Sequence, residues 1–254
     1  MRLSYKDIDR IALSAHNKFM GALTNNVQWV KAINIENFAI YHLGLDIEYT
    51  RLCDYNKTMG ITTYCDTRIE LTQYLRDTTI NVPKNKLLLN DNLEPPMMYG
   101  KADPELNRRR FTIAHESAHQ IIYRILPDSE RKEFDRKYSA CTISIDEFNN
   151  IMNWHEWQAN ALAASLLMPK KFIELLMGNR RIYIYGKRMN RPDKLLIANM
   201  SNKLKVSRTA LALRLKQLGF ATVLPTDAYF DPTDIIKDED DYENYEAGVK
   251  ADVG

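Results

Sequence analysis

Two histidines four residues apart, His115 and His119, stand in the segment His115-Glu116-Ser117-Ala118-His119. On a helix that spacing places both imidazoles on one face, about one turn and roughly 6 Å apart, close enough to bind one metal ion. Glu116 lies one position past the first histidine, so it can stand beside a metal-held water rather than in the ligand shell. The chemistry this suits is metal-assisted hydrolysis, with the glutamate as general base. A catalytic metal of this kind takes three protein ligands and keeps one position open. The third ligand must therefore come from elsewhere in the chain.

His155-Glu156 is the obvious source, with Glu156 falling 37 residues after His119. Glu156, Ala159, Asn160, Ala163 and Leu167 share one helical face. The small alanines let that helix approach the His115–His119 helix closely. Asn160, one turn beyond Glu156, can orient a ligand side chain or serve as a helix-packing hydrogen-bond partner. His155 is a rival ligand. It sits about 100° round the helix from Glu156, so the two cannot both point at one ion. His115, His119 and His155 thus leave a three-histidine site open. His16 and His42 fall on helical patterns and read as packing or surface residues.

The elements that must hold these groups follow from apolar spacing and its punctuation. Ile8, Ile11, Ala12, Ala15 and Phe19 predict an N-terminal helix stopped at Gly21, and a second short helix covers 36–43, ending at Gly44. Short β-type runs follow at 45–52, 61–65, 68–72, 79–82 and 86–90, broken by Gly, Pro, Asn and Asp. They predict a small mixed or antiparallel sheet, with 86–90 as the strand whose exposed edge an extended substrate would join. Residues 91–102 read as a loop. Asp103 as N-cap and Pro104 in the first helical position predict a long helix to about residue 126, carrying the histidine pair. Ser144-Ile145-Asp146-Glu147 matches a capping box opening the next helical stretch, which ends at Met168 before Pro169. Helices over 170–177, 195–204 and 207–218 complete the chain, with Ser207 as N-cap and Gly219 as stop. The expected class is α+β: a small sheet packed on a helical core that carries the H-E-x-x-H motif, with a C-terminal helical subdomain at about 195–220.

Composition narrows the function classes. With 254 residues, 45% hydrophobic and 27% charged, the chain has the makeup of a soluble globular protein. No apolar run approaches the roughly 18–20 residues of a membrane span. The N-terminal stretch lacks the continuous apolar core of a secretion signal. Cys53, Cys65 and Cys141 are odd in number and form no C-x-x-C pair, so they read as reduced thiols of a cytoplasmic protein. The net charge of +2 conceals an asymmetry: residues 226–254 hold ten Asp/Glu and two Lys, leaving +10 on 1–225. The expected organisation is one domain over 1–225 followed by an acidic, flexible tail, 226–254. That tail either aids solubility or competes for a basic surface such as residues 178–194. The helix, turn and Ser-capped helix of 199–219 could read DNA. Its apolar spacing suits packing, however, and direct DNA binding is not the expectation.

The motifs together resemble the ImmA/IrrE metallopeptidases. Phe111-Thr112-Ile113-Ala114-His115-Glu116-Ser117-Ala118-His119, preceded by Arg110, is similar to that family's R-F-T-x-A-H-E-x-G-H. Glu156-Trp157-Gln158-Ala159-Asn160-Ala161-Leu162-Ala163-Ala164-Ser165-Leu166-Leu167-Met168-Pro169 is similar to its E-x-x-A-N-x-F-A-A-x-L-L-M-P. Val206-Ser207, Ala210, Arg214-Leu215 and Leu218-Gly219 match its usual C-terminal segment, so the likeness covers about residues 5–220. The resemblance implies one Zn²⁺ per chain held by His115, His119 and Glu156, Glu116 as catalytic base, and His155 as a neighbour only. It also implies a site-specific endopeptidase that cleaves a helix-turn-helix repressor and so derepresses stress or mobile-element genes. The competing reading is a non-catalytic, metal-containing regulator that binds a repressor or DNA. Ala118 stands where the family has glycine, and Leu162 where it has phenylalanine. Neither change removes a ligand or the base.

Overall fold

The computed structural model describes residues 2–52, 58–73, 76–96, 103, 105–139, 142–144, 156–186 and 188–225. His155, Cys53, Cys141, residues 145–147 of the expected capping box and the acidic tail lie outside the described residues. The chain divides into two compact units: Met1–Leu23 with Ile33–Leu167, and Thr24–Ala32 with Met168–Gly254. Among the described residues, no helix is long and apolar enough to cross a membrane.

The first unit opens with α1, Tyr5–Met20. Ser4 and Asp7 cap it reciprocally: the Ser4 hydroxyl accepts from the Asp7 N–H, and the Asp7 carboxylate accepts from the Ser4 N–H. Ile8, Ala12 and Ala15 form its buried face. Next come α2, Ile35–Asn37, and a π-helical turn, Phe38–His42, which together fill the place of the expected 36–43 helix. Strands β1 (Asp46–Thr50), β2 (Gly60–Thr62), β3 (Thr67–Gln73), β4 (Arg76–Val82) and β5 (Lys86–Asn90) follow. They do not join into one sheet. The first sheet has the order β1-β5-β2, with β1 parallel and β2 antiparallel to β5; β3 and β4 form a hairpin in a second sheet.

The placement of β5 corrects the expected edge. Leu87, Leu88 and Leu89 are all buried, and β5 lies between β1 and β2. A run apolar on both faces marks a strand with both faces covered, where alternation is lost. Its pairing with β1 on one side and β2 on the other is what makes β5 central. The edges belong to β1 and β2 instead, and β2 is the one that lies against Glu116.

Helix α3, Leu106–Ile125, carries the histidine pair and is buried along most of its length, from Arg109 to Tyr123. Its start differs from expectation. Glu105, not Asp103, is the N-cap, without a side-chain hydrogen bond. The Asp103 carboxylate pairs instead with the Arg109 guanidinium, which is 4% exposed and also donates to the Leu93 carbonyl at 3.1 Å. A buried cation without a carboxylate costs more than an uncapped helix end, so the ion pair takes the aspartate. Helix α4, Asp128–Ser139, follows. Strand β6, Thr142–Ser144, pairs in parallel with β3, so Ser144 ends a strand. Leu52, Ile61, Tyr64, Ile69, Leu71, Leu88, Tyr123, Leu126 and Phe134 form a core cluster joining both sheets to α3 and α4.

Helix α5, Glu156–Leu167, closes the unit. Ala159, Ala163 and Leu167 on its inner face are fully buried or nearly so. Gln158 accepts from the Leu3 N–H at 2.8 Å, and Ser165 donates to Asp9 at 3.0 Å, which ties α5 to α1.

The second unit contains a 3-10 turn, Val27–Trp29, and α6, Lys170–Met177, between Pro169 and Gly178 as expected. It also holds three strands that the sequence pattern does not predict: β7 (Ile182–Tyr185), β8 (Arg188–Met189) and β9 (Ala221–Leu224), in the order β8-β7-β9. Helices α7, Arg191–Leu204, and α8, Arg208–Gln217, complete it, with the Ser207 hydroxyl accepting from the Ala210 N–H. Arg214 is buried and donates to the Met168 carbonyl at 3.3 Å. Its guanidinium therefore works inside this unit.

Candidate metal centre

The 3.6-residue period of α3 turns His115 and His119 to one side. The first turn of α5 brings Glu156 to the same place. His115 Nε2 lies 3.3 Å from Glu156 Oε2, His119 Nε2 lies 3.1 Å from Glu156 Oε1, and the two Nε2 atoms are 3.0 Å apart. The three residues form a group able to hold a metal ion. Donors about 2.0–2.1 Å from a tetrahedral ion would stand roughly 3.3 Å from one another, close to these separations. The donor chemistry fits as well: two imidazoles and a carboxylate, the set of many hydrolytic zinc sites.

Asn160 sits one turn beyond Glu156, with its Oδ1 3.1 Å from His115 Nδ1. If that nitrogen carries the proton and donates, the lone pair of His115 is left on Nε2, facing the other donors. His119 Nδ1 is buried with no hydrogen-bond partner among the described residues. Its Nε2 is the atom that faces Glu156.

The electrostatics separate these groups. Burial opposes charge on His115, but the Glu156 carboxylate, Glu116 and Asn160 outweigh it and raise its pKa. Burial dominates at His119, whose pKa falls to about 4. Burial also opposes charge on Glu156, yet hydrogen bonds from both histidines hold it well below the ordinary carboxylate range. Glu116 is 6% exposed, and burial pushes it up to about 7 against the opposing pull of His115 and a Thr62 backbone N–H. A carboxyl group poised near neutrality beside three metal-capable donors is equipped to take and return a proton.

Strand β2 holds this carboxylate from the other side. Met59 and Thr63 make the backbone bonds to Asn90 and Lys86. The alternation of an antiparallel ladder therefore turns the backbone groups of Gly60 and Thr62 away from β5. Gln120, one turn beyond Glu116 on α3, donates at 2.8 Å to both Thr62 Oγ1 and the Thr63 carbonyl. Sequence reasoning misses these β2 contacts, since Gln120 and Thr62 are 58 residues apart. A glycine within a strand is the one available sign.

The family Peptidase_M78, described as IrrE N-terminal-like domain, matches residues 74–216. That segment spans more than half of the chain and includes His115, Glu116, His119, Glu156 and Asn160, so the chain belongs to this metallopeptidase family. No curated protein matches the chain.

Proposed function

We propose that this protein is a zinc-dependent, site-specific endopeptidase whose substrate is a helix-turn-helix transcriptional repressor. The observation that carries the reading is the convergence of His115, His119 and Glu156 beside the buried carboxyl of Glu116. In this reading the two histidines hold the ion through Nε2 and Glu156 through its carboxylate, while Asn160 fixes the His115 ring. Zinc, when bound, supplies Lewis acidity to water and to the scissile carbonyl. Glu116 accepts the proton of the attacking water on its carboxylate and then delivers it to the leaving amine nitrogen. An extended substrate segment is taken up beside β2, the edge strand next to Glu116. A repressor substrate works where the DNA is, so a cytoplasmic location belongs to the same proposal.

The deciding experiment mixes candidate helix-turn-helix repressors with the zinc-loaded chain and with its chelator-stripped form. Cleavage at one bond by the loaded chain alone supports the proposal. Tight repressor binding without cleavage would leave the chain a metal-containing regulator and overturn the peptidase reading.

The site also sets how zinc affinity responds to pH. Zinc requires neutral imidazoles and an ionised carboxylate. Glu156 stays ionised far into acid, and His119 stays neutral down to about pH 4. His115, raised above its ordinary value, is the ligand that takes a proton first as pH falls. Affinity should then drop by at least about tenfold per pH unit below the His115 pKa, with any proton that a bound dication displaces from Glu116 adding to the slope near neutrality. Competition with a chromophoric chelator from about pH 8 to about pH 5 measures this. An affinity that stays flat over that whole range would refute the assignment.

A further inference from the structure

Gly60 lies in β2, where glycine is disfavoured because it adds entropy to the unfolded chain and no side chain to the sheet. Its backbone gives no reason for it: φ lies outside the positive range that favours glycine. The reason is on α3. A β-carbon at position 60 would stand 2.7 Å from Thr112 Cγ2, 3.0 Å from Glu116 Cγ and 3.2 Å from Glu116 Oε1. Thr112 and Glu116 are one turn apart, so β2 lies directly against the helical turn that presents the carboxylate. Gln120 continues the same face one turn later and binds both Thr62 and Thr63. The strand and helix are thus bolted at Gln120 and pressed together at Gly60.

We propose that Gly60 is a positioning residue for Glu116: its missing side chain lets β2 close on α3 and sets where the carboxylate stands beside His115, His119 and Glu156. Gly60 precedes the segment matched by the family, 74–216, and nothing in the metal-ligand motif predicts it. This proposal rests on the peptidase reading for its catalytic meaning, though not for the contact itself. Two of the obstructing atoms belong to Glu116 and one to Thr112, and that separation makes the proposal testable. Thr112→Ser removes the nearest obstruction and keeps the hydroxyl that donates to the Arg108 carbonyl at 3.0 Å. It leaves the Glu116 contacts in place. Relief at Thr112 should therefore restore packing without restoring the carboxylate.

The experiment compares full-length Gly60→Ala, Thr112→Ser, Glu116→Ala and the two double variants containing Gly60→Ala. Thermal melting, zinc per chain and hydrolysis of fluorescein-labelled casein are measured for each. Gly60→Ala should lower the melting midpoint by about 5 °C. That loss should shrink in both the Thr112→Ser and the Glu116→Ala backgrounds, while zinc per chain stays at the wild-type level in every variant. Turnover should fall by up to about 100-fold at unchanged KM, and Thr112→Ser should not recover it. Full recovery of turnover in the Gly60→Ala, Thr112→Ser double variant would overturn the proposal, because Gly60 would then serve packing alone. A melting loss from Gly60→Ala that is the same in the wild-type and Glu116→Ala backgrounds would overturn it independently of any activity. A wild-type chain that holds zinc but leaves casein intact is what a strictly site-specific peptidase would give, and the melting comparison then decides on its own whether Gly60 and Glu116 are coupled.

Discussion

On the proposed peptidase reading, Glu116→Gln should bind zinc as the wild type does and cleave the proposed repressor substrate at least about 1,000-fold more slowly. The glutamine keeps the size of the side chain, so the fit against Gly60 and Thr112 survives. What it loses is the ability to accept a proton. General base catalysis contributes about 10²–10⁴-fold, and in the proposed mechanism the same group also returns the proton to the leaving amine, so both halves of that reaction would suffer. Metal binding should persist because the three donors able to hold an ion, on His115, His119 and Glu156, are untouched. The change should also be nearly neutral for folding, since Glu116 is buried and its carboxyl is already pushed up to about 7, where a neutral form is cheap. Repressor cleavage followed by gel and intact-mass spectrometry, with zinc per chain measured on the same samples, checks all three statements. Cleavage by the variant at the wild-type rate would remove Glu116 from the role of base.

Local signals carry much of this fold. Helix α6 runs over Lys170–Met177 because Pro169 cannot continue α5 and Gly178 adopts a positive φ that ends the helix. Ser207 caps α8 through its own hydroxyl. The histidine pair is legible for the same reason: an i, i+4 spacing is a statement about one helix. Glu156 and Asn160 require more, a second helix with alanines on one face, and those alanines are indeed the buried ones. Partner choice among strands is not legible in this way. Which strand pairs with which depends on contacts distant in sequence, and a three-residue strand such as β2 is too short to show alternation. The all-leucine centre of β5 marks a strand covered on both faces, but not which strands flank it. Strands β7 and β9, four residues each, are hidden among basic residues and a helix end. Asp103 misleads because a cap signal is local, whereas the demand of buried Arg109 is tertiary.

His119→Ala should abolish stable zinc binding, and with it all turnover. Of the three donors His119 is the most enclosed, 4% exposed against 17% for His115 and 37% for Glu156. Its side chain is held neutral far below pH 7, so it is the candidate donor most ready to bind an ion. Removing it leaves two donors, below the three that catalytic zinc sites use, and an affinity loss of several powers of ten should follow. The consequence for folding runs in two directions. The metal-free wild type holds one imidazole in a burying environment, a cost that alanine removes. Against this, alanine vacates space between α3 and α5 and takes away the partner of Glu156 Oε1. Zinc itself should decide the balance: it stabilises the wild type in proportion to the logarithm of its concentration over Kd, and the variant gains nothing. The sharp expectation is therefore a difference of differences. Melting of the wild type rises on adding zinc and falls back on adding a chelator, while melting of His119→Ala responds to neither. Elemental mass spectrometry on the same preparations should give about one zinc per wild-type chain and none per variant chain. Equal zinc content in the two proteins, or an equal melting shift, would move the metal site away from this histidine.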